Sequence, residues 1–484
     1  MLPSLLLEPA LSDRLERFLA QPELLFEMVR AFGAPVNLVF PQRIAENVKA
    51  FQQIYDEHHL RGRILYAHKT NRSSALLREL AITSAGVDVA SLRELQHALV
   101  SGFAPDRIIA GGPKNPEFLW LAACAGIPVN IDSRRELDVL TTMVRAFQIP
   151  PVTVTIRLSG FESSGVRIRS KASRFGVPVS QIDAVLDVLE QYRDAVRFDG
   201  MGFHLDTVSI PEKVVALTEC LRITDRARQR GFDPRGIDIG GGFKANYLKH
   251  QSQWEDYTTA LHQAVLGKRK PLSWNGQGFG LRNDGGVLAG ELNAYSWFDS
   301  LTGPAYLDRL LSEEAPGFSR PLGTLLLENM YELDIEPGRA LVDQCGLTVT
   351  RVLDEWTVGG NQLVRLDMNR DDVTMLDNEV FVDPVILPRR ERRDGNTEPV
   401  GVYFVGNICL ESDFISRRQV FCDQLPEPGD LVAFANTAGY LMDFSANHAL
   451  QQRIARKIAV VEGDDGAWRW WLDEEYWPFS GRVT

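Results

Sequence analysis

Between about Arg43 and about Glu336, short β-branched apolar runs alternate with stretches whose apolar residues recur at helical spacing, the pattern of βα units around a parallel sheet. Strands are predicted over 64–67, 108–110, 129–131, 152–158, 201–205, 236–239 and 324–327. Helices fill the gaps at 91–101, where Ser91 can cap, and at 136–147, 179–192 and 211–230. Seven or eight such units, several ending in polar residues or glycine, predict a (β/α)8 TIM-like barrel rather than an open doubly wound sheet. Beyond Glu336 the pattern changes. The segments 347–353, 362–366, 380–387, 400–405, 419–422 and 431–435 are strand-like, with turns such as 426–429 between them. Residues 35–40 are strand-like too and precede the first barrel helix. The expected fold class is therefore α/β plus β: a barrel over 42–335 and a mostly-β second domain assembled from both chain ends, 1–41 and 336–484. Four of the nine tryptophans fall within 468–477, a cover for that second domain.

Composition narrows the function without naming it. With 44% hydrophobic and 24% charged residues over 484 positions, the chain has the make-up of an ordinary globular protein. Its net charge of −12 contains no long single-sign block, which argues against a nucleic-acid groove or an anionic membrane surface and favours a small-molecule substrate. The five cysteines are widely spaced with no CxxC pair, so neither a disulfide framework nor a metal site is expected, and a reducing cytoplasm fits.

Four segments carry candidate chemistry. Tyr66-Ala67-His68-Lys69-Thr70-Asn71 ends a predicted strand, where a βα loop would project the Lys69 amine into a barrel mouth; a lone lysine there is ordinarily a solvated surface residue, so its neighbours decide. Gly240, Gly241 and Gly242 follow another strand, and without Cβ atoms their amides can cradle a phosphate, although a tight turn would use the same residues. Glu336-Pro337-Gly338-Arg339 sets a carboxylate, able to hold a pyridine nitrogen protonated, three residues before a guanidinium suited to phosphate or carboxylate. His204 is flat enough to stack on a ring, and equally could be a core histidine.

Taken in order, these segments resemble the pyridoxal 5′-phosphate (PLP) dependent fold type III family, the alanine-racemase-like barrel group that holds the diaminopimelate, ornithine and arginine decarboxylases. Tyr66 to Asn71 is similar to the family's Tyr-Ala-x-Lys-x-Asn. Asp88-Val89-Ala90-Ser91-Leu92-Arg93-Glu94-Leu95 is similar to its Asp-x-Ala-Ser-x-x-Glu-Leu, and Arg174-Phe175-Gly176 to its basic-Phe-Gly. Cys409 with Asp413, and Ala438-Gly439-Tyr440, extend the match to about residue 450. The resemblance implies that Lys69 carries PLP as an internal aldimine, that His204 stacks on its ring and that Glu336 pairs with its nitrogen. It further implies that Asp88, Thr207, Gly240, Gly241, Gly242, Arg339 and Tyr440 complete the cofactor site. In this family the Cys loop and the tyrosine belong to active sites shared across a head-to-tail homodimer, so Cys409 would protonate the product from the neighbouring subunit. Arg339, Glu411, Asp413 and Tyr440 are the candidates for the substrate. Racemases of this fold tend to place an arginine where Glu336 stands, so decarboxylation is the expected reaction, with racemisation or another PLP reaction as the alternative. A catalytically silent binding relative is the alternative from another class, against which Lys69, Glu336 and Cys409 all speak.

Three departures bear on the substrate. In the diaminopimelate and ornithine enzymes an acid follows the active-site Cys and holds a distal ammonium; here the residue is Leu410. The stretch between Gly242 and Glu336 is long for one helix and strand, so an insertion at about 245–323 is expected near the barrel mouth. Asp206 stands where relatives usually carry glycine. Together these point to an amino acid without a free distal cation, or to a bulkier or carrier-linked derivative.

Overall fold

The computed structural model describes residues 5–162, 173–295, 298–375, 380–390, 399–442 and 444–480. Among them, eight strands pair in parallel in the order Leu65–Ala67, Gly86–Val89, Ile108–Ala110, Val129–Ile131, Val152–Ser159, Val196–Phe203, Gly236–Asp238 and Glu332–Asp334. Parallel bridges from Arg61 to Glu332 and from Ile64 to Ile335 close the ring, giving the α/β barrel that the alternation predicts. Such strands are covered on both faces and need nearly continuous apolar runs; Ile108, Ile109, Ala110, Val129 and Ile131 are all buried. The surrounding helices begin where serine or asparagine can cap. Ser73, Ser91, Asn115, Ser133 and Ser209 each accept the amide three residues on. At two of these caps a glutamate reaches back as well, Glu94 accepting from Ala90 N (2.6 Å) and Glu136 from Asp132 N (3.1 Å).

The second sheet contains both chain ends. Val36–Val39 lies between Gly346–Val358, antiparallel to it, and Arg456–Glu462, parallel to it. Gly346–Val358 also pairs with Asn361–Leu366 and Leu431–Ala435, and Val400–Val405 and Val420–Cys422 extend the sheet. The tryptophan-rich end is partly an edge strand, Trp468–Leu472, and partly a bridge to the barrel. Beyond that strand, Tyr476 is buried in the barrel's core and donates to Glu79 Oε2 (2.7 Å). Asp473 accepts from the Ser73 hydroxyl and from Ser74 N (2.7 Å) and Ala75 N (3.2 Å), capping the helix Ser74–Ala81 that follows Lys69.

The apolar run at 324–327 is helical rather than a strand: it lies in Leu322–Glu328 after Pro321, and the barrel's last strand is Glu332–Asp334. A short apolar run does not distinguish a buried helix from a buried strand, and here Leu322, Leu325 and Leu326 pack on the barrel as one helical face. The strand Gly86–Val89, absent from the strands predicted above, supplies Asp88. The long stretch after Gly242 divides between the two cores. Tyr247, Tyr257, Leu261 and Leu272 pack with the second sheet, whereas Tyr306, Leu307, Leu310 and Leu311 of Gly303–Ser312 pack on the barrel. No helix among the described residues is long and apolar enough to cross a membrane.

The Asp473 cap generates a stability prediction. Asp473→Ala leaves one hydroxyl and two helix amides without their acceptor and is expected to cost about 2–4 kcal/mol, read as a shift in denaturant midpoint, with Asp473→Asn losing less. An unchanged midpoint would refute the cap.

Candidate functional site

The C-terminal ends of the barrel strands bring Lys69, Asp88, Arg157, His204, Asp238 and Glu336 together. Lys69 sits in a 3-10 turn, His68–Thr70, immediately after Leu65–Ala67. The turn is tied from several sides. Tyr66 OH donates to Asn71 O (3.1 Å), Asn71 Nδ2 donates to Ala438 O (2.9 Å), Lys457 Nζ donates to Asn71 Oδ1 (2.9 Å), and Tyr440 N donates to Thr70 O (3.1 Å). The motif residues around Lys69 thus lock the barrel turn onto the second sheet, leaving the lysine side chain open to the cleft.

Three buried carboxyl groups share this mouth. Burial alone would raise Glu336, but His204, whose Nδ1 lies 3.0 Å from Glu336 Oε2, together with Lys69 and Asp238, brings it down to about 2. Asp238 behaves oppositely: burial first, then the charges of Glu336 and Asp334, push it well above the usual carboxylate range. Asp88 is pushed the same way by burial and Glu336, with Lys69 opposing. Glu336 is thus the acid whose charge is favoured, while burial and mutual repulsion at low dielectric disfavour a second charge on Asp238 or Asp88. Burial lowers His204, only partly offset by Glu336, so the neutral imidazole is favoured at physiological pH; its Nδ1 faces both Glu336 Oε2 (3.0 Å) and the Gly241 amide (3.3 Å). Burial also opposes the charged form of Lys69, but Tyr440, Asp88 and Glu336 overcome it and Arg157 does not reverse them, so its amine is held above its ordinary value.

Two adjoining clefts of about 770 and 760 Å3 open on either side of Lys69, His204, Asp206 and Glu336. The first is lined further by Asp88, Asn130, Arg157 and Arg174; the second by Thr207, Gly241, Gly242, Tyr295, Arg339 and Tyr440. Gly240 and Gly242 have φ of +63° and +84°, and a Cβ on either would come within 2.6 Å of a backbone carbonyl. The Gly240 amide is already engaged by Asp238 Oδ1 (2.8 Å), so Gly241 and Gly242 form the wall of the second cleft. Arg339 Nη1 donates to Tyr247 OH (3.0 Å) and Gly439 O (2.9 Å), and its guanidinium stands 4.3 Å from the Tyr295 ring centroid and 5.1 Å from that of Tyr440. A glycine wall, a fixed guanidinium and the Tyr440 hydroxyl make this cleft suited to a phosphate.

The remaining candidates are distributed differently. Tyr440 lines the same chain's cleft as Lys69; its φ of +68° and its bond to Thr70 hold it there. Cys409, Leu410 and Glu411 are exposed and line neither cleft of their own chain. Asp413 is 3% exposed, and its carboxylate accepts from Arg370 N (2.9 Å) and Ile408 N (3.0 Å). Both Asp413 oxygens thus take part in folding the Cys409 loop. Three residues at or near the mouth, Arg157, Arg174 and Asp238, were given no role from sequence, and Tyr295 was noted only as an aromatic of the long stretch after Gly242. Arg157, paired with Asp132 at 3.2 Å, and Tyr295 have no local motif to mark them, whereas Arg174 and Asp238 stand inside segments quoted above for other reasons.

A family model described as "Pyridoxal-dependent decarboxylase, pyridoxal binding domain" matches residues 42–271. An uncharacterized protein of Sinorhizobium fredii is 30% identical over 95% of this chain and 94% of its own length. The diaminopimelate decarboxylase of Methanothermobacter thermautotrophicus is 25% identical over 90% of this chain and 89% of its own. Among solved structures, diaminopimelate decarboxylase from M. jannaschii in complex with L-lysine superposes with a TM-score of 0.68 at 19% identity, covering 93% of this chain and 91% of that one. Lysine/ornithine decarboxylase from Vibrio vulnificus, complexed with putrescine, gives 0.64 at 18%, covering 93% and 99%. These two structural likenesses show the fold.

The loop geometry separates Asp413 from Glu411 experimentally. Asp413→Ala is expected to lower stability by about 2–4 kcal/mol through its two abandoned amides, whereas Glu411→Ala stays within about 0.5 kcal/mol. Thermal unfolding of both variants checks this; a KM change for Asp413→Ala at unchanged Tm would point instead to a substrate role.

Proposed function

The chain belongs to the PLP-dependent decarboxylases of fold type III, and on that footing we propose that it removes the α-carboxylate of an amino acid or conjugated derivative lacking a free distal ammonium. The observation that carries the reading is the ionised Glu336, held by His204 beside Lys69. The cofactor fits the residues present: Gly241, Gly242, Thr207, Arg339 and Tyr440 line the second cleft, and in the first cleft Asp88 Oδ1 is buried with no hydrogen-bond partner among the described residues. PLP, when bound, supplies a ring that accepts the electron pair left by the departing carboxylate.

Lys69 supplies the amine that holds the cofactor. Glu336 keeps a ring nitrogen protonated, which deepens the electron sink, and an arginine at this position would not. His204, oriented by its bond to Glu336, offers a flat neutral face toward both clefts. Gly241, Gly242, Thr207, Arg339 and Tyr440 hold the phosphate. Cys409 delivers the proton that replaces the carboxylate, acting in the cleft of a second subunit of a homodimer. Its exposure, on a loop braced by Asp413 and absent from its own chain's clefts, supports that arrangement. Leu410 travels with it, so no acid enters the partner's cleft at this point to meet a distal ammonium.

Two outcomes are expected. Borohydride should trap a cofactor adduct on Lys69, and Lys69→Ala and Cys409→Ala should each abolish turnover. Mixed under subunit exchange, the two variants should recover about a quarter of native activity, because half of the dimers carry one intact site; no recovery would sink the shared site. Free ornithine, lysine and diaminopimelate should be turned over at least about a hundredfold less efficiently than the best substrate, the effect of about 3–5 kcal/mol for an unpaired buried charge. Leu410→Glu should narrow that gap. Assays of CO2 release across free and carrier-linked amino acids check both, and efficient turnover of free lysine by the native protein would overturn the role given to Leu410.

A further inference from the structure

Lys213, in the helix Ile210–Gln229, is fully buried at 0% exposure and stands directly behind the glycine wall. Its amine donates to the Gly241 carbonyl and lies 4.6 Å from the ring centroid of Phe243 and 5.4 Å from that of Tyr306. A Cβ on Gly242 would touch Lys213 Cε and Nζ at 3.4 Å. Among the described residues no carboxylate pairs with this amine. Asp238 on the strand Gly236–Asp238 and Glu336 beyond the last strand act on it only from a distance, and Glu212 on its own helix accepts from Thr207 Oγ1 (3.2 Å). The Tyr306 hydroxyl, on Gly303–Ser312, has no hydrogen-bond partner among the described residues.

An ammonium removed from water without a counter-ion is costly, and facing aromatic rings offset only part of that cost. Burial accordingly holds Lys213 down to about 7, with Asp238 and Glu336 opposing. What the position does offer is leverage on the loop. In a planar trans peptide the C=O and the following N–H point in opposite directions. Drawing the Gly241 carbonyl back toward Lys213 therefore aims the Gly242 N–H forward, into the second cleft.

We propose that Lys213 is a positioning residue for the cofactor phosphate: it turns the Gly241–Gly242 peptide so that the amide faces the anion, and its ammonium is the buried counter-charge to that anion. The inference rests on the reading that the phosphate lies at this wall. Without the phosphate, burial favours the neutral amine above neutral pH; with a dianion in front of it, the charged form is favoured, so binding takes up a proton.

The test titrates the full-length protein, stripped of cofactor, with PLP and with pyridoxal, which lacks the phosphate, at pH 8 in two buffers of different ionisation enthalpy. The native protein should bind PLP with proton uptake and pyridoxal without it. Lys213→Met should weaken PLP by about 10- to 100-fold, leave pyridoxal within about twofold and abolish the uptake. Equal losses for both ligands, or none, would overturn the proposal. If Lys213→Met does not fold, Lys213→Gln, a neutral donor to the same carbonyl, and the proton count of the native protein decide: no uptake on PLP binding refutes it. A native protein that prefers PLP to pyridoxal no more than weakly would remove the phosphate reading itself, which is a different failure.

Discussion

The hydrogen bonds that close the barrel hold the rest of the molecule in place. Leu65 N donates to Ile335 O (2.8 Å) and Ile335 N to Arg63 O (3.0 Å), while Arg63 grips Asp334 with Nε and Nη2 (3.1 and 2.6 Å). Through them the first and last strands become neighbours, and Lys69, one turn beyond the first, comes to share a cleft with Glu336, just beyond the last. An open sheet of the same strands would leave these two groups at opposite edges. The second sheet then braces the same seam, since Asn71 reaches Ala438 O and Asp473 caps the helix after Lys69.

Within that closed mouth, low dielectric makes the carboxyl groups compete for a single negative charge. Glu336 holds it through its His204 partner, and its charge disfavours the ionised form of Asp238 and Asp88. The arrangement concentrates one fixed charge at one end of a neutral imidazole, between a cleft bordered by Arg157 and Arg174 and a cleft bordered by Arg339. Lys213 extends the same logic to the back of the glycine wall, where burial disfavours the charge of an amine that pairs with no carboxylate among the described residues.

The proposed substrate side is shaped by segments remote from the barrel. Asp413 folds the loop carrying Cys409 and Leu410, and Trp274 packs against Phe414 and Tyr403 beneath it, with ring centroids 5.0 and 5.4 Å away. Part of the long stretch after Gly242 thus supports the Cys409 loop, while its far end brings Tyr295 over Arg339. The proposed chemistry is inherited from the barrel, and the proposed selectivity from these additions.

Alternating apolar runs, with a cap at Ser91, pointed to the barrel because strand and helix periods are local properties of the chain, and the ordered motifs of the family resemblance pointed the same way. Lys69, His204, Glu336 and the glycines were legible as one group, since each lies in a short segment at the end of a strand or just beyond one, and strand ends in a barrel converge. The helix Leu322–Glu328 was not, because a run of leucines fits either period and only its packing on the barrel decides. Asp413 turning inward to backbone amides, Tyr295 covering Arg339 and Lys213 standing behind Gly241 were likewise beyond reach from sequence. Each is a contact between residues far apart in the chain, and no local pattern records which distant partner a buried polar group finds; only the closed fold does.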